Sequence, residues 1–138
     1  MKKILLVEDS KFLRVATERA LARAGYEVHS AGDGEEALRL AREKAPDLML
    51  LDMMLPKMAG QDVLKALKKE PVTAQIPVVV LTGLSLANAE RLQEDGAFGF
   101  LEKSMLRLDQ GSEPLLLAVA QIFKKISDHL AQAAGEKR

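Results

Sequence analysis

The sequence predicts an α/β fold: a five-stranded parallel sheet with helices on both faces. Three observations predict it. Unbroken apolar runs of strand length recur at residues 4–7, 48–51 and 78–81, the pattern of strands buried on both faces. Segments with apolar residues at helical spacing lie between them. Gly and Pro punctuate the boundaries. Strands that alternate with helices imply a parallel sheet with right-handed crossovers.

The first strand, residues 4–7, ends on two acids, Glu8 and Asp9. Ser10 or Asp9 can cap the helix that follows. In that helix Phe12, Leu13, Ala16, Ala20 and Leu21 share a face, with Lys11, Arg14, Glu18 and Arg19 expected outside; Gly25 ends it. Residues 26–31 alternate around Tyr26 and Val28, as an outer strand does. After the turn at Gly32, Asp33 and Gly34, a helix turns Ala37, Leu38, Leu40 and Ala41 inward. Residues 48–51 form the third strand, which ends on Asp52. Pro56 and Gly60 punctuate the loop after it, and Val63, Leu64 and Leu67 mark the next helix. The fourth strand, 78–81, ends on Thr82 and Gly83; a helix is expected over 86–95. Residues 98–101 form a short fifth strand ending at Glu102 and Lys103, and 105–112 read as a long loop. The last helix is expected over about 113–133. Leu115, Val119, Ile122, Phe123, Ile126 and Leu130 line one face and Leu116 and Leu117 widen it; residues 135–138 read as a frayed tail.

At 138 residues the chain fits one domain. It has no cysteine, which excludes disulfides, thiolate metal sites and cysteine nucleophiles. Twenty basic residues balance 20 acidic ones, so no global field favours nucleic acid or an anionic membrane. No apolar run reaches the roughly 18 residues of a membrane span. The N-terminal apolar run meets acids after four residues, so it reads as a strand rather than a signal peptide. His29 and His129 have no metal-binding partner at useful spacing, and the methionines around Asp52 read as packing or as an adaptable contact surface.

In a parallel sheet all the strand ends share one rim. Glu8 and Asp9, Asp52, Thr82 and Lys103 then converge there, where open α/β sheets bind their ligands. Clustered carboxylates repel: two unit charges ~4 Å apart cost about 4 kcal/mol at an effective dielectric near 20. A hard divalent cation relieves this, and oxygen ligands with open positions suit Mg²⁺ shared with a phosphate. Asp52 is then the candidate nucleophile, able to form an acyl phosphate. Lys103 would neutralise the phosphoryl oxygens, and Thr82 would donate a hydrogen bond to one of them.

Four motifs in order carry a resemblance: Glu8-Asp9-Ser10, the stretch from Asp52 through Pro56 to Gly60, Thr82-Gly83, and Phe100-Leu101-Glu102-Lys103. From Lys3 through the last helix the chain resembles a response-regulator receiver domain of two-component signalling. The resemblance implies a flavodoxin-like doubly wound (βα)5 fold with strand order 2-1-3-4-5. It implies Asp52 as phosphoacceptor, with Mg²⁺ held by Asp9, Asp52 and the backbone carbonyl of Met54, and by Glu8 through water. It implies Thr82 and Lys103 as the switch hydroxyl and the essential lysine, and Phe100 as the switch aromatic. The phosphoryl donor would be a sensor histidine kinase or a phosphotransfer protein. The output would be a protein contact through the fourth helix, fifth strand and fifth helix.

Two positions depart from the family pattern. Ser104 stands where relatives carry a proline in a cis bond; a cis bond without proline costs ~2.5–4 kcal/mol, so a trans or strained cis bond is expected. Met54 is apolar where many relatives carry a polar group, which implies slow self-dephosphorylation. The chain is expected to be a single receiver over 1–134 without an output domain, cytoplasmic, and a signalling switch rather than an enzyme for external substrates. The last helix approaches heptad spacing, so homodimerisation through it is a further expectation. The rival readings are an interaction module that takes no phosphate, an aspartyl-phosphate hydrolase and a flavin carrier. The hydrolase wants an acid at position 54, where Met54 stands. The flavin carrier wants a hydroxyl-rich loop after the first strand, where Glu8 and Asp9 stand.

Overall fold

The computed structural model describes residues 1–83, 89–108 and 111–136. Five strands, β1 (Lys3–Val7), β2 (Glu27–Ala31), β3 (Leu48–Asp52), β4 (Val78–Thr82) and β5 (Gly99–Glu102), form one parallel sheet in the order β2-β1-β3-β4-β5. Five helices connect and follow them: α1 (Lys11–Arg23), α2 (Gly34–Lys44), α3 (Gly60–Lys69), α4 (Ala89–Glu94) and α5 (Glu113–Glu136). This is the flavodoxin-like order that the sequence resemblance implies.

The sheet separates two apolar layers because alternate strand residues point to opposite faces. Leu5, Val7, Met49, Leu51, Val78 and Val80 pack under α2 and α3. Ile4, Leu6, Leu48, Leu50, Val79 and Leu81 pack on the other side, against Leu21 of α1 and Leu115, Val119 and Ile126 of α5. The central strands β1, β3 and β4 are buried on both faces, which is why they read as continuous apolar runs.

Local chemistry sets the helix starts. The Ser10 side chain accepts from the Leu13 N–H and caps α1; the Asp33 carboxylate accepts from the Glu36 N–H and caps α2.

Several expectations need correction. Phe12, assigned to the inner face of α1, is 80% exposed. Arg14, assigned to solvent, is half-buried and bonds inward. The stretch expected as a loop after β5 begins with a 3-10 turn, Lys103–Leu106, and Leu106 is fully buried. Leu117 and Leu130 face solvent, while Leu115, Val119 and Ile126 are committed to the core. The heptad spacing of those three therefore serves this chain's own sheet. The helix α5 runs to Glu136, beyond the expected end near 133 and through part of the expected tail. The beginning of the helix expected over 86–95 lies outside the described residues, as does the end of the tail. No peptide bond among the described residues is cis, so Lys103–Ser104 is trans.

Candidate functional site

The strand order reverses direction between β1 and β3, and the site forms at that switch point. Val7 pairs with Leu51. The next residue on each chain is Glu8 and Asp52, so register alone sets these two acids side by side. Asp9 follows as the chain turns toward α1. Carboxylate oxygens of Glu8, Asp9 and Asp52 lie within 4.8 Å of one another. Glu8 is fully buried and Asp52 is 2% exposed, whereas Asp9 is exposed.

Lys103 enters from the end of β5. Its Nζ lies 2.8 Å from Asp52 Oδ2 and 3.2 Å from Glu8 Oε1. It donates a hydrogen bond to Asp52. The approach to Glu8 is an ion pair, and Glu8 Oε1 is buried with no hydrogen bond among the described residues. Burial alone would lower the Lys103 pKa, but the hydrogen bond and charge of Asp52, with the charge of Glu8, raise it above the ordinary lysine value.

Glu8 responds in the opposite sense to an ordinary paired acid. Burial, followed by the neighbouring Asp52 and Asp9, pushes its pKa up to about 7. The Ser10 N–H, 3.3 Å from Glu8 Oε2, pulls weakly the other way. One lysine cannot neutralise three carboxylates. The raised Glu8 pKa, owed first to burial and then to the neighbouring acids, marks a cluster in which one ammonium faces three carboxylates. A hard divalent cation fits that donor set.

The loop after Asp52 is held by close backbone packing. The Met54 N–H donates to Asp52 Oδ1 at 3.1 Å, which fixes the carboxylate plane. The Gly60 N–H donates to the Met53 carbonyl at 3.0 Å. A Cβ at Gly60 would stand 2.6 Å from both the Asp52 carbonyl oxygen and Met53 Cα, so no side chain fits there. Met54 itself projects into solvent, 79% exposed.

Thr82 ends β4 one residue past Leu81, the partner of Asp52, and is half-buried. Phe100 pairs with Val80 and is half-buried against the α2–α3 layer. The sequence-predicted Glu8, Asp9, Asp52 and Lys103 are thus in one cluster, Thr82 borders it, and Phe100 lies on the neighbouring strand. His29 pairs with Glu27 on β2, and His129 packs edge-on against Phe98 of the α5 layer; neither joins the site.

Sequence reasoning missed two residues. One is Gly60, read as loop punctuation rather than as the contact that seats the Asp52 loop. The other is Arg14, whose Nη1 donates to the Glu8 carbonyl at 2.9 Å and reaches the Asp9 carbonyl at 3.4 Å. The signal for Arg14 was available, because long helical side chains lean toward the helix N-terminus, and that end of α1 carries the acids.

A family model described as the response regulator receiver domain matches residues 4–110. The response regulator PleD of Caulobacter vibrioides is 42% identical over a match covering 99% of this chain and 30% of that protein. The polar-differentiation response regulator DivK of Brucella anthropi is 34% identical, covering 74% of this chain and 84% of that protein. Among solved structures, the chemotaxis protein CheY4 of Vibrio cholerae superposes with a TM-score of 0.77 at 31% identity, covering 88% of this chain and 98% of that one. The chain spans about a third of the length of curated relatives such as PleD.

Proposed function

Because the chain belongs to the response regulator receiver family, we propose that it is a phosphorylation switch that accepts a phosphoryl group on Asp52 from a protein phosphohistidine. The observation that carries this reading is the buried Glu8–Asp9–Asp52 cluster with Lys103 bridging two of its members. Receiver domains are signalling switches, and the chain's own chemistry is confined to its phosphoryl group.

In the proposed transfer the histidine N–P bond breaks as an Asp52 oxygen forms the new O–P bond. The Met54 N–H and Lys103 Nζ hold the Asp52 carboxylate in a fixed plane, so little reorientation precedes attack. Lys103 then follows the developing charge onto a phosphoryl oxygen. Thr82 stands at the next strand end to donate to another. Asp9, Asp52 and the Met54 carbonyl would hold Mg²⁺, with Glu8 acting through water. Bound Mg²⁺ supplies positive charge at the phosphoryl oxygens. Phe100, opposite Val80 and two residues before the Glu102 that faces Thr82, transmits the state of the site to the outer face.

Partners follow from surfaces. The donor must reach the rim, and α1 offers a largely apolar groove of about 620 Å³ lined by Phe12, Leu13 and Ala16 with Leu106, Arg107 and Leu108. Phe12 stands three residues after Asp9, so a donor seated there lies next to the acids. The face of α4, β5 and α5 is the proposed output surface, and Leu117 and Leu130 remain for a second copy. We place the chain in the cytoplasm, with one receiver domain over residues 1–134. No helix among the described residues is long and apolar enough to cross a membrane.

Incubation with acetyl phosphate and Mg²⁺ tests the reading by intact mass. Wild type is expected to gain one phosphoryl group and Asp52→Ala none. An unmodified wild type would leave the interaction module as the better account.

A further inference from the structure

Each acid of the cluster is held differently. Glu8 is fixed by burial, by the Ser10 N–H and by Lys103. Asp52 is fixed by the Met54 N–H and by Lys103. The Asp9 carboxylate is exposed, receives no backbone N–H or ammonium among the described residues, and faces the Glu8 and Asp52 carboxyls. Among the described residues its position is set chiefly by its own peptide, and that peptide lies past the end of the β1 ladder, where Val7 is the last paired residue.

Arg14 reaches this unsupported corner. Its Nη1 bonds the Glu8 carbonyl at 2.9 Å and approaches the Asp9 carbonyl at 3.4 Å. The guanidinium also closes against the end of β2: a Cβ at Gly32 would stand 3.0 Å from Nη1. The Glu8 N–H donates to the Ala31 carbonyl at 3.0 Å, so the acid corner is tied to that same end of β2. Lys103 and Arg14 therefore differ in kind. Lys103 binds the carboxylate oxygens that a cation would use, whereas Arg14 binds the carbonyls behind them and leaves those oxygens free.

We infer that Arg14 is a positioning residue for the cation site: by gripping the Glu8 and Asp9 carbonyls it holds the Asp9 carboxylate in the cluster and so sets the Mg²⁺ affinity. This rests on the reading of the acid cluster as a Mg²⁺ site. Residues that orient metal ligands from behind commonly matter by 10–100-fold in affinity. Both carbonyls are met by one nitrogen, Nη1, held in place by the planar guanidinium, whereas a lysine ammonium is a compact point charge on a flexible stem.

The test is Mg²⁺ titration without any phosphodonor, followed by amide NMR shifts, on wild type, Arg14→Ala, Arg14→Lys and Asp9→Ala. Arg14→Ala is expected to weaken Mg²⁺ about 10-fold, with Arg14→Lys between it and wild type. In the Asp9→Ala background the further loss from Arg14→Ala is expected to vanish, because Arg14 acts through Asp9. A merely structural arginine would give the same fold-loss in both backgrounds, and that result overturns the proposal. Mg²⁺ affinity within twofold of wild type in Arg14→Ala also overturns it. If Arg14→Ala does not fold, as read by circular dichroism, Arg14→Lys carries the same comparison with the same criteria. A wild type that binds no Mg²⁺ overturns the site reading and the Arg14 assignment with it; binding by wild type with no Arg14 effect overturns only the latter.

Discussion

Glu8 is buried between Asp9 and Asp52, and its proton and a bound cation compete to neutralise it. Folded, it keeps its proton to about pH 7; its ordinary value is 4.5. The unfolded chain therefore releases this proton first. Stability from Glu8 is full below pH 4.5 and is lost as pH rises through about 7. In Mg²⁺-free buffer the urea midpoint is expected to fall across that window, and Glu8→Gln is expected to flatten the fall. Lys103, raised above its ordinary value, loses its contribution only far above this window. Glu27, lowered by its hydrogen bond to His29, and Asp33, lowered by the Glu36 N–H it caps, act only below the window. A second buried residue gives a cleaner case. Thr17 is fully buried on α1 and its hydroxyl has no partner among the described residues. Thr17→Val keeps the shape and removes the unsatisfied group, so it is expected to raise stability by ~1 kcal/mol, read from the urea midpoint at unchanged slope.

At the scale of elements, the connection from β3 to α3 decides how Asp52 is presented. Gly60 brings the start of α3 against the backbone of Asp52 and Met53 at a distance no Cβ tolerates. Gly60→Ala must push that backbone aside, and overpacking of this kind costs about 1–3 kcal/mol. It is expected to lower both the urea midpoint and the rate of modification by acetyl phosphate; an unchanged rate would show that the Asp52 plane does not depend on this contact. The helix α1 divides its duties by face. Thr17, Ala20 and Leu21 go to the core, Arg14 goes to the acid corner, and Phe12 stays outside. Phe12→Ala is therefore expected to leave stability within about 0.5 kcal/mol and acetyl-phosphate labelling unchanged, while slowing transfer from a phosphohistidine protein. Equal slowing with both donors would remove the groove from the account.

For the whole molecule, the cluster couples folding to cation binding. A ligand that binds only the folded state stabilises it by about 2.7 kcal/mol at about 100 times its Kd. Mg²⁺ is thus expected to raise the thermal midpoint most above pH 7, where Glu8 has lost its proton, and little near pH 5. Asp9→Ala is expected to shrink that rise without removing it, since Glu8 and Asp52 remain. A Mg²⁺ effect equal at both pH values would show that the cation binds somewhere other than beside Glu8.

The sequence by itself determined the strands, because β1, β3 and β4 are buried on both faces and a doubly buried strand has no polar position to blur its run. It also determined which acids and which lysine meet, because a parallel sheet brings all carboxyl ends to one rim. Side-chain direction within a helix was less legible. The apolar pattern of α1 put Phe12 inside and Arg14 outside, and the fold reversed both. Only the tertiary structure decided those two, since Arg14 finds the open carbonyls of Glu8 and Asp9 only once β1 and β2 are paired and α1 is docked. The same holds for the heptad-like spacing of α5: whether Leu115, Val119 and Ile126 meet a second copy or this chain's own sheet depends on what lies within reach after folding, and spacing along one helix carries no information about that.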